Sequence, residues 1–100
     1  MERPATLDQV LDVLRERRAE VREKYKVELL GVVGSMARGE AASDSDVDVF
    51  ADFLSGTTLF KLGGLAVELE QSLGRRVDLI DRKMVKPFMR PGMEHDLVRA

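Results

Sequence analysis

The chain has 100 residues, enough for one compact domain spanning residues 1–100 and no more. Hydrophobic residues make up 44% and charged residues 34%, with a formal net charge of -2, a balance that excludes a disordered chain and argues against a general nucleic-acid binder, which is normally basic. Cysteine is absent, which rules out disulfide staples and thiolate metal sites and fits a reducing compartment. No apolar run approaches the ~18–20 residues of a membrane span. The opening Met1-Glu2-Arg3-Pro4 lacks the apolar stretch of a signal peptide, so a cytoplasmic location is expected.

Residues 6–25 read as a helix. Thr6 and Gln9 form a capping box, in which a hydroxyl and an amide satisfy free N–H groups at the helix start. Apolar residues follow at Leu7, Val10, Leu11, Leu14, Val21 and Tyr25, with Arg18 interrupting the stripe. Val27 to Val33 is a strand by its β-branched and aliphatic content, and Gly31 inside it implies a bulge or a close backbone approach. Ser35 to Glu40 reads as one short helical turn and Ala41 to Asp44 as loop. Val47 to Phe53 is the second strand, ended by Ser55-Gly56-Thr57.

Thr57 or Thr58 caps a second long helix that places Leu59, Leu62, Leu65, Ala66, Leu69 and Leu73 on its buried side and stops at Gly74. Arg76 to Asp81 is the third strand. The tail from Arg82 is mixed, and Pro91-Gly92 reads as a turn. A short connection between the first two strands favours antiparallel pairing, and the helix between the second and third suits a parallel crossover. The expected fold is α+β, a two-layer α-β-α-β-α-β core with a small mixed sheet flanked by helices.

The chemistry concentrates in Gly34-Ser35, ten residues, then Asp46-Val47-Asp48. Gly34 can take a backbone conformation closed to other residues, and Ser35 then opens a short helix whose free N–H groups favour an anion. Arg38 lies about one helical turn further on, within reach of a phosphate, and Ser45 adds a second hydroxyl beside the acids. Asp46 and Asp48 are two apart, so they share one face of a strand near its start. Two close carboxylates repel unless a cation separates them, and hard oxygen ligands without His or Cys favour Mg²⁺ or Mn²⁺ over zinc.

Asp78 stands in the otherwise apolar Val77-Asp78-Leu79-Ile80, where an acid is costly without a partner. If the second and third strands are neighbours, Asp78 joins the other two acids across the ladder. The competing explanation makes Ser43-Asp44-Ser45-Asp46 a polar turn and leaves Asp78 facing water. The same-face pair, the Gly-Ser turn and the third acid together favour metal-dependent transfer of a nucleotidyl group. Asp44 is assigned to the turn, Asp81 to capping the segment after it, Arg75-Arg76 to a solvated turn, and the single histidine, His95, to the surface.

Gly34-Ser35-Met36-Ala37-Arg38-Gly39 followed by Ser45-Asp46-Val47-Asp48 resembles the signature of the DNA polymerase β-like nucleotidyltransferase superfamily. Within it, the chain is similar to the minimal nucleotidyltransferases, the MNT or MntA-like antitoxins. Met36 stands where many relatives carry an arginine or an aromatic residue, and the tail is less regular than the family's closing helix. The resemblance implies three strands in order 1-2-3 with mixed directions. It implies that Asp46 and Asp48 bind two Mg²⁺ ions and that Asp78 is the third carboxylate, ligating a metal and helping to deprotonate the attacking hydroxyl. Gly34 and Ser35 would hold the triphosphate of ATP.

A core this short leaves no room for an acceptor domain, so another macromolecule is expected to bring the acceptor. The resemblance implies a HEPN-domain RNase toxin, silenced by AMP placed on one of its tyrosines. A homo-oligomer is compatible with the sequence. Met84, Val85, Phe88, Met89, Met93 and Leu97 supply either a docking surface or further core. Two rival classes stand beside this one: a non-catalytic antitoxin or nucleotide-binding module acting by contact alone, and a nucleotidyltransferase acting on a small molecule or on RNA ends.

Overall fold

A computed structural model describes residues 5–100 of the protein, and the Met1-Glu2-Arg3-Pro4 segment lies outside the described residues. The elements run α1 (Leu7–Tyr25), β1 (Val27–Val33), α2 (Gly34–Ala37), β2 (Val47–Phe53), α3 (Leu59–Leu73), β3 (Val77–Asp81), a 3₁₀ turn (Arg82–Met84), α4 (Arg90–Asp96) and β4 (Val98–Arg99). The capping box is present: the Thr6 amide donates to Gln9 Oε1 at 2.9 Å and the Gln9 amide to Thr6 Oγ1 at 3.3 Å. Arg18 breaks the apolar stripe of α1 because it turns to Glu28 on β1, donating through Nε at 3.2 Å and Nη2 at 2.8 Å. Thr58 caps α3 by accepting from the Lys61 amide at 3.1 Å, and Gly74 ends it with φ +65°.

The sheet has four strands in the order β3-β2-β1-β4. β1 and β2 pair antiparallel, and β2 and β3 pair parallel, as the connection lengths require. The expected 1-2-3 core is therefore intact, and β4 extends it with a fourth strand, antiparallel to β1. At two residues, β4 is too short to leave an alternating pattern in the sequence. Gly31 makes it possible. A register shift falls between Leu29 and Gly31, and a Cβ on Gly31 would overlap the Val98 carbonyl oxygen and lie 2.9 Å from Arg99 Cα. Both meanings of a strand glycine, bulge and close approach, meet at this position.

α1 and α3 cover one face of the sheet. Leu14 from α1, Val32 and Val49 from the strands, and Leu65 and Leu69 from α3 are fully buried in one cluster. Strand alternation sends Asp48, Phe50 and Asp52 to the opposite face, where Phe50 is also fully buried. α4 packs against α2 and β1. Pro91 sits in the first turn of α4, where a missing N–H costs no helical bond, so Pro91-Gly92 is helical rather than a turn. Leu59, expected on the buried side of α3, is 87% exposed in that helix's first turn. The apolar tail divides: Met84, Phe88 and Met89 are exposed, whereas Val85, Met93 and Leu97 are half-buried.

Gly31→Ala should push β4 off the edge of β1. The expected cost is about 1–3 kcal/mol, read from urea unfolding, as for other overpacked positions. The Ala100 amide, which donates to Leu30 O at 3.0 Å, should exchange faster with solvent while the β1–β2 ladder keeps its protection. Unchanged exchange at Ala100 would contradict the steric account.

Candidate active site

The chain leaves β1 at Val33 in extended conformation and turns at once through Gly34, whose φ is +80°. That region is open to glycine and strained for other residues. A Cβ at this position would also overlap the Asp48 carboxylate. α2 then occupies four residues, and its end is closed by the Arg38 amide donating to Gly34 O at 3.1 Å and the Glu40 amide donating to Ser35 O at 2.8 Å.

Register brings the acids together. Val33 pairs with Asp48 across the antiparallel ladder, and Asp48 pairs with Asp78 across the parallel one. Val33, Asp48 and Asp78 thus form one row over three strands, and paired residues of neighbouring strands project to the same face. Asp46 lies just ahead of β2, two residues before Asp48. It is exposed, and its Oδ1 is 3.9 Å from Arg76 Nε. Like charges held this close repel.

Among the described residues, no three His, Asp or Glu side chains are gathered tightly enough to hold a metal ion as they stand. The donor set nonetheless fits a hard divalent cation, being all carboxylate with no His or Cys. Electrostatics agree. Burial first, then Asp78, then Asp46 push the Asp48 carboxyl above the usual carboxylate range, against a smaller opposing pull from Arg38. A positive charge placed among these acids would relieve that strain.

The remaining expected site residues are engaged differently. Arg38 is bound by two acids, donating from Nε to Glu40 at 3.1 Å and from Nη1 to Asp96 on α4 at 3.2 Å. Those bonds favour its charged form. Ser45 Oγ accepts from the Ala42 amide at 2.8 Å, so its oxygen helps to close the loop before Asp46. Asp81 caps as expected, accepting from the Lys83 amide at 3.2 Å. Arg75 is not a solvated residue: it is half-buried and hydrogen-bonded to backbone carbonyls of the same loop. The sequence gives little sign of Arg75, Glu40 or Asp96 at this place, because Arg75 and Asp96 join segments about thirty and about sixty positions away. A groove of about 390 Å³ runs among Arg15, Arg18, Arg22 and Glu28, and none of the three acids lines it.

A glycine turn thus lies against a row of acids, on a mixed sheet backed by two helices. Residues 14–98 match the family model described as nucleotidyltransferase domain, and the chain belongs to that family. It is a nucleotidyltransferase. Protein adenylyltransferase MntA of Thermococcus cleftensis is 42% identical over 81 residues, covering 81% of this chain and 82% of its own. A Methanocaldococcus jannaschii protein that carries a provisional protein adenylyltransferase name is 35% identical over 94 residues, covering 93% of this chain and 96% of its own. A solved structure of a provisionally named minimal nucleotidyltransferase superimposes with a TM-score of 0.69 at 35% identity, covering 88% of this chain and 93% of that one. No helix among the described residues is long and apolar enough to cross a membrane.

Asp48 sets a testable sign. A carboxyl whose pKa is raised on folding binds its proton more tightly in the folded state. Its charge therefore costs nothing below the unfolded pKa of roughly 4, weakens the fold increasingly as pH rises through the folded value, and weakens it fully above. Asp48→Asn should shift the urea midpoint upward relative to wild type at about pH 7.5, and that gain should vanish at about pH 3. An equal gain at both pH values would show that charge is not the cause.

Proposed function

We propose that this chain transfers AMP from ATP to a hydroxyl of a partner protein. Asp46, Asp48 and Asp78 form the reacting centre and hold Mg²⁺ or Mn²⁺, and Gly34 and Ser35 receive the triphosphate. The observation that carries this function is the row in which Asp48 stands beside Asp78 with Gly34 against its carboxylate. A triphosphate laid along the Gly34-Ser35 backbone would lie beside Asp48, whose carboxylate the turn abuts. When bound there, divalent ions neutralise phosphate charge and lower the pKa of the acceptor hydroxyl.

The acceptor oxygen bonds to the α-phosphorus while the bond to the bridging oxygen of the β-phosphate breaks, and pyrophosphate leaves with that electron pair. The hydroxyl proton passes to Asp78, which neighbours Asp48 yet is itself exposed to an incoming acceptor. Ser45 and the charged Arg38 border the nucleotide, with Arg38 exchanging an acid partner for phosphate when the nucleotide enters.

Two relatives named as protein adenylyltransferases support a protein acceptor. The net charge of -2 speaks against a nucleic-acid substrate. The likeness to minimal nucleotidyltransferase antitoxins supports a HEPN-domain toxin as that acceptor, met in the cytoplasm.

The test combines the protein, ATP labelled at the α-phosphate, MgCl₂ and the product of the adjacent gene. Label is expected on that product, with none after EDTA and recovery on adding Mg²⁺. Asp46→Asn and Asp48→Asn should each lower labelling by at least about 100-fold, the scale of losing a group that stabilises transition-state charge, without loss of the circular dichroism spectrum. Asn variants that label nothing and still protect cells from the toxin would show that contact alone suffices.

A further inference from the structure

The segment from Arg38 to Asp46 has no ladder to follow, yet it delivers Asp46. In its second half the Ser45 amide donates to Ala42 O at 3.1 Å, and the Ala42 amide donates to Ser45 Oγ at 2.8 Å. They close the turn on itself. Beyond it the Val47 amide donates to Arg76 O at 2.8 Å, and the carbonyls of the turn itself are held by a side chain thirty positions away. Arg75 Nη1 donates to the carbonyls of Ala42 at 2.9 Å, Ser43 at 3.2 Å and Ser45 at 3.0 Å, while its Nε donates to Ala5 O at 2.8 Å. A planar guanidinium spans these two directions; an ammonium, a point donor, does not.

Arg75 is itself held rigidly. It follows Gly74, whose amide donates to Glu70 O at 2.9 Å, and the Ala5 amide donates to Leu73 O at 2.9 Å. Glu70 Oε2 also accepts from the Val77 amide at 3.0 Å, which ties this helix end to the start of β3. The Ser45 carbonyl belongs to the peptide plane that continues into the Asp46 nitrogen. Fixing that oxygen fixes the plane from which the Asp46 side chain departs.

We infer that Arg75 is a positioning residue: by holding the Ser45–Asp46 peptide against the end of α3, it presents the Asp46 carboxylate beside Asp48 for a divalent cation. This rests on the function proposed above, in which Asp46 is a metal ligand. A purely structural Arg75 would pin the loop without affecting ion binding by the folded protein.

The experiment titrates Mn²⁺ by electron paramagnetic resonance into wild type, Arg75→Gln, Arg75→Lys, Asp46→Asn and the Arg75→Gln/Asp46→Asn double variant, all well below their melting temperatures. Arg75→Gln should weaken Mn²⁺ binding by about tenfold or more, the scale seen when an outer partner of a ligand is lost. Arg75→Lys should fall between the two. In the Asp46→Asn background, Arg75→Gln should add little, because it acts through Asp46. In AMP transfer, the Mg²⁺ concentration for half-maximal rate should rise more than the KM for ATP at saturating Mg²⁺. Unchanged Mn²⁺ affinity in Arg75→Gln, or an equal further loss in the Asp46→Asn background, would overturn the inference. Should Arg75→Gln not fold, Arg75→Lys decides by the same measures. A wild-type protein that takes up no Mn²⁺ would overturn the assignment of the acids, and this inference with it.

Discussion

A missing methyl group organises the candidate site. At Gly34 the backbone turns with positive φ directly against the Asp48 carboxylate, and no side chain fits between them. The turn can therefore approach the acid row closely, which is what a ligand bridging backbone N–H groups and carboxylates requires. The approach depends in turn on register. Val33 pairs with Asp48, so the residue after Val33 must begin its turn over that carboxylate. A slip of one residue in this ladder would send Asp48 to the helix-covered face and Val49 to the open one. The buried positions Val47, Val49 and Ala51 prevent the slip, so the hydrophobic core on one face determines the chemistry on the other.

The two ends of β2 show how charge on that open face is managed. Asp52, at the far end, is clasped by Arg82 through two bonds of 3.0 and 2.8 Å. Asp48, among the described residues, has no ion-pair partner and stands beside Asp78 instead. The nearby cation, Arg38, is itself held by Glu40 and Asp96, so its effect on Asp48 is partial. An unneutralised carboxylate half-buried next to another is unfavourable for the fold and useful to a site that binds a cation.

The loop that carries Asp46 adds a second dependence. It has no ladder of its own; Ala41 packs against the core, and one guanidinium at the end of α3 holds three of its carbonyls. The helix that buries Leu65, Leu69 and Leu73 on the covered face thus also steadies the open face. Packing and site geometry are coupled through a few backbone carbonyls as well as through the core, to which Met36 and Val47 belong.

Much of this was legible in the residues. Local rules were sufficient for the Thr6–Gln9 cap, the Gly74 stop, the crossover handed from β2 through α3 to β3, and Gly31 as a bulge or a close approach, though not for its being both. The spacing of Gly34-Ser35 to Asp46 and Asp48 was enough to single out the candidate site, whereas Asp46 lies just ahead of β2, whose alternation therefore places Asp48 alone. Local rules could not see β4, because two residues carry no period, nor the exposure of Leu59, because periodicity marks a face and not what lies opposite it. The sequence by itself determined α1, β1, β2, α3 and β3, since these arise from contacts between near neighbours along the chain. Only the tertiary structure decided that Arg38 pairs with Asp96, that Arg75 clasps the Ser45 carbonyl, and that Asp48 stands abreast of Asp78, since each joins segments whose separation is set by the packing of the whole sheet.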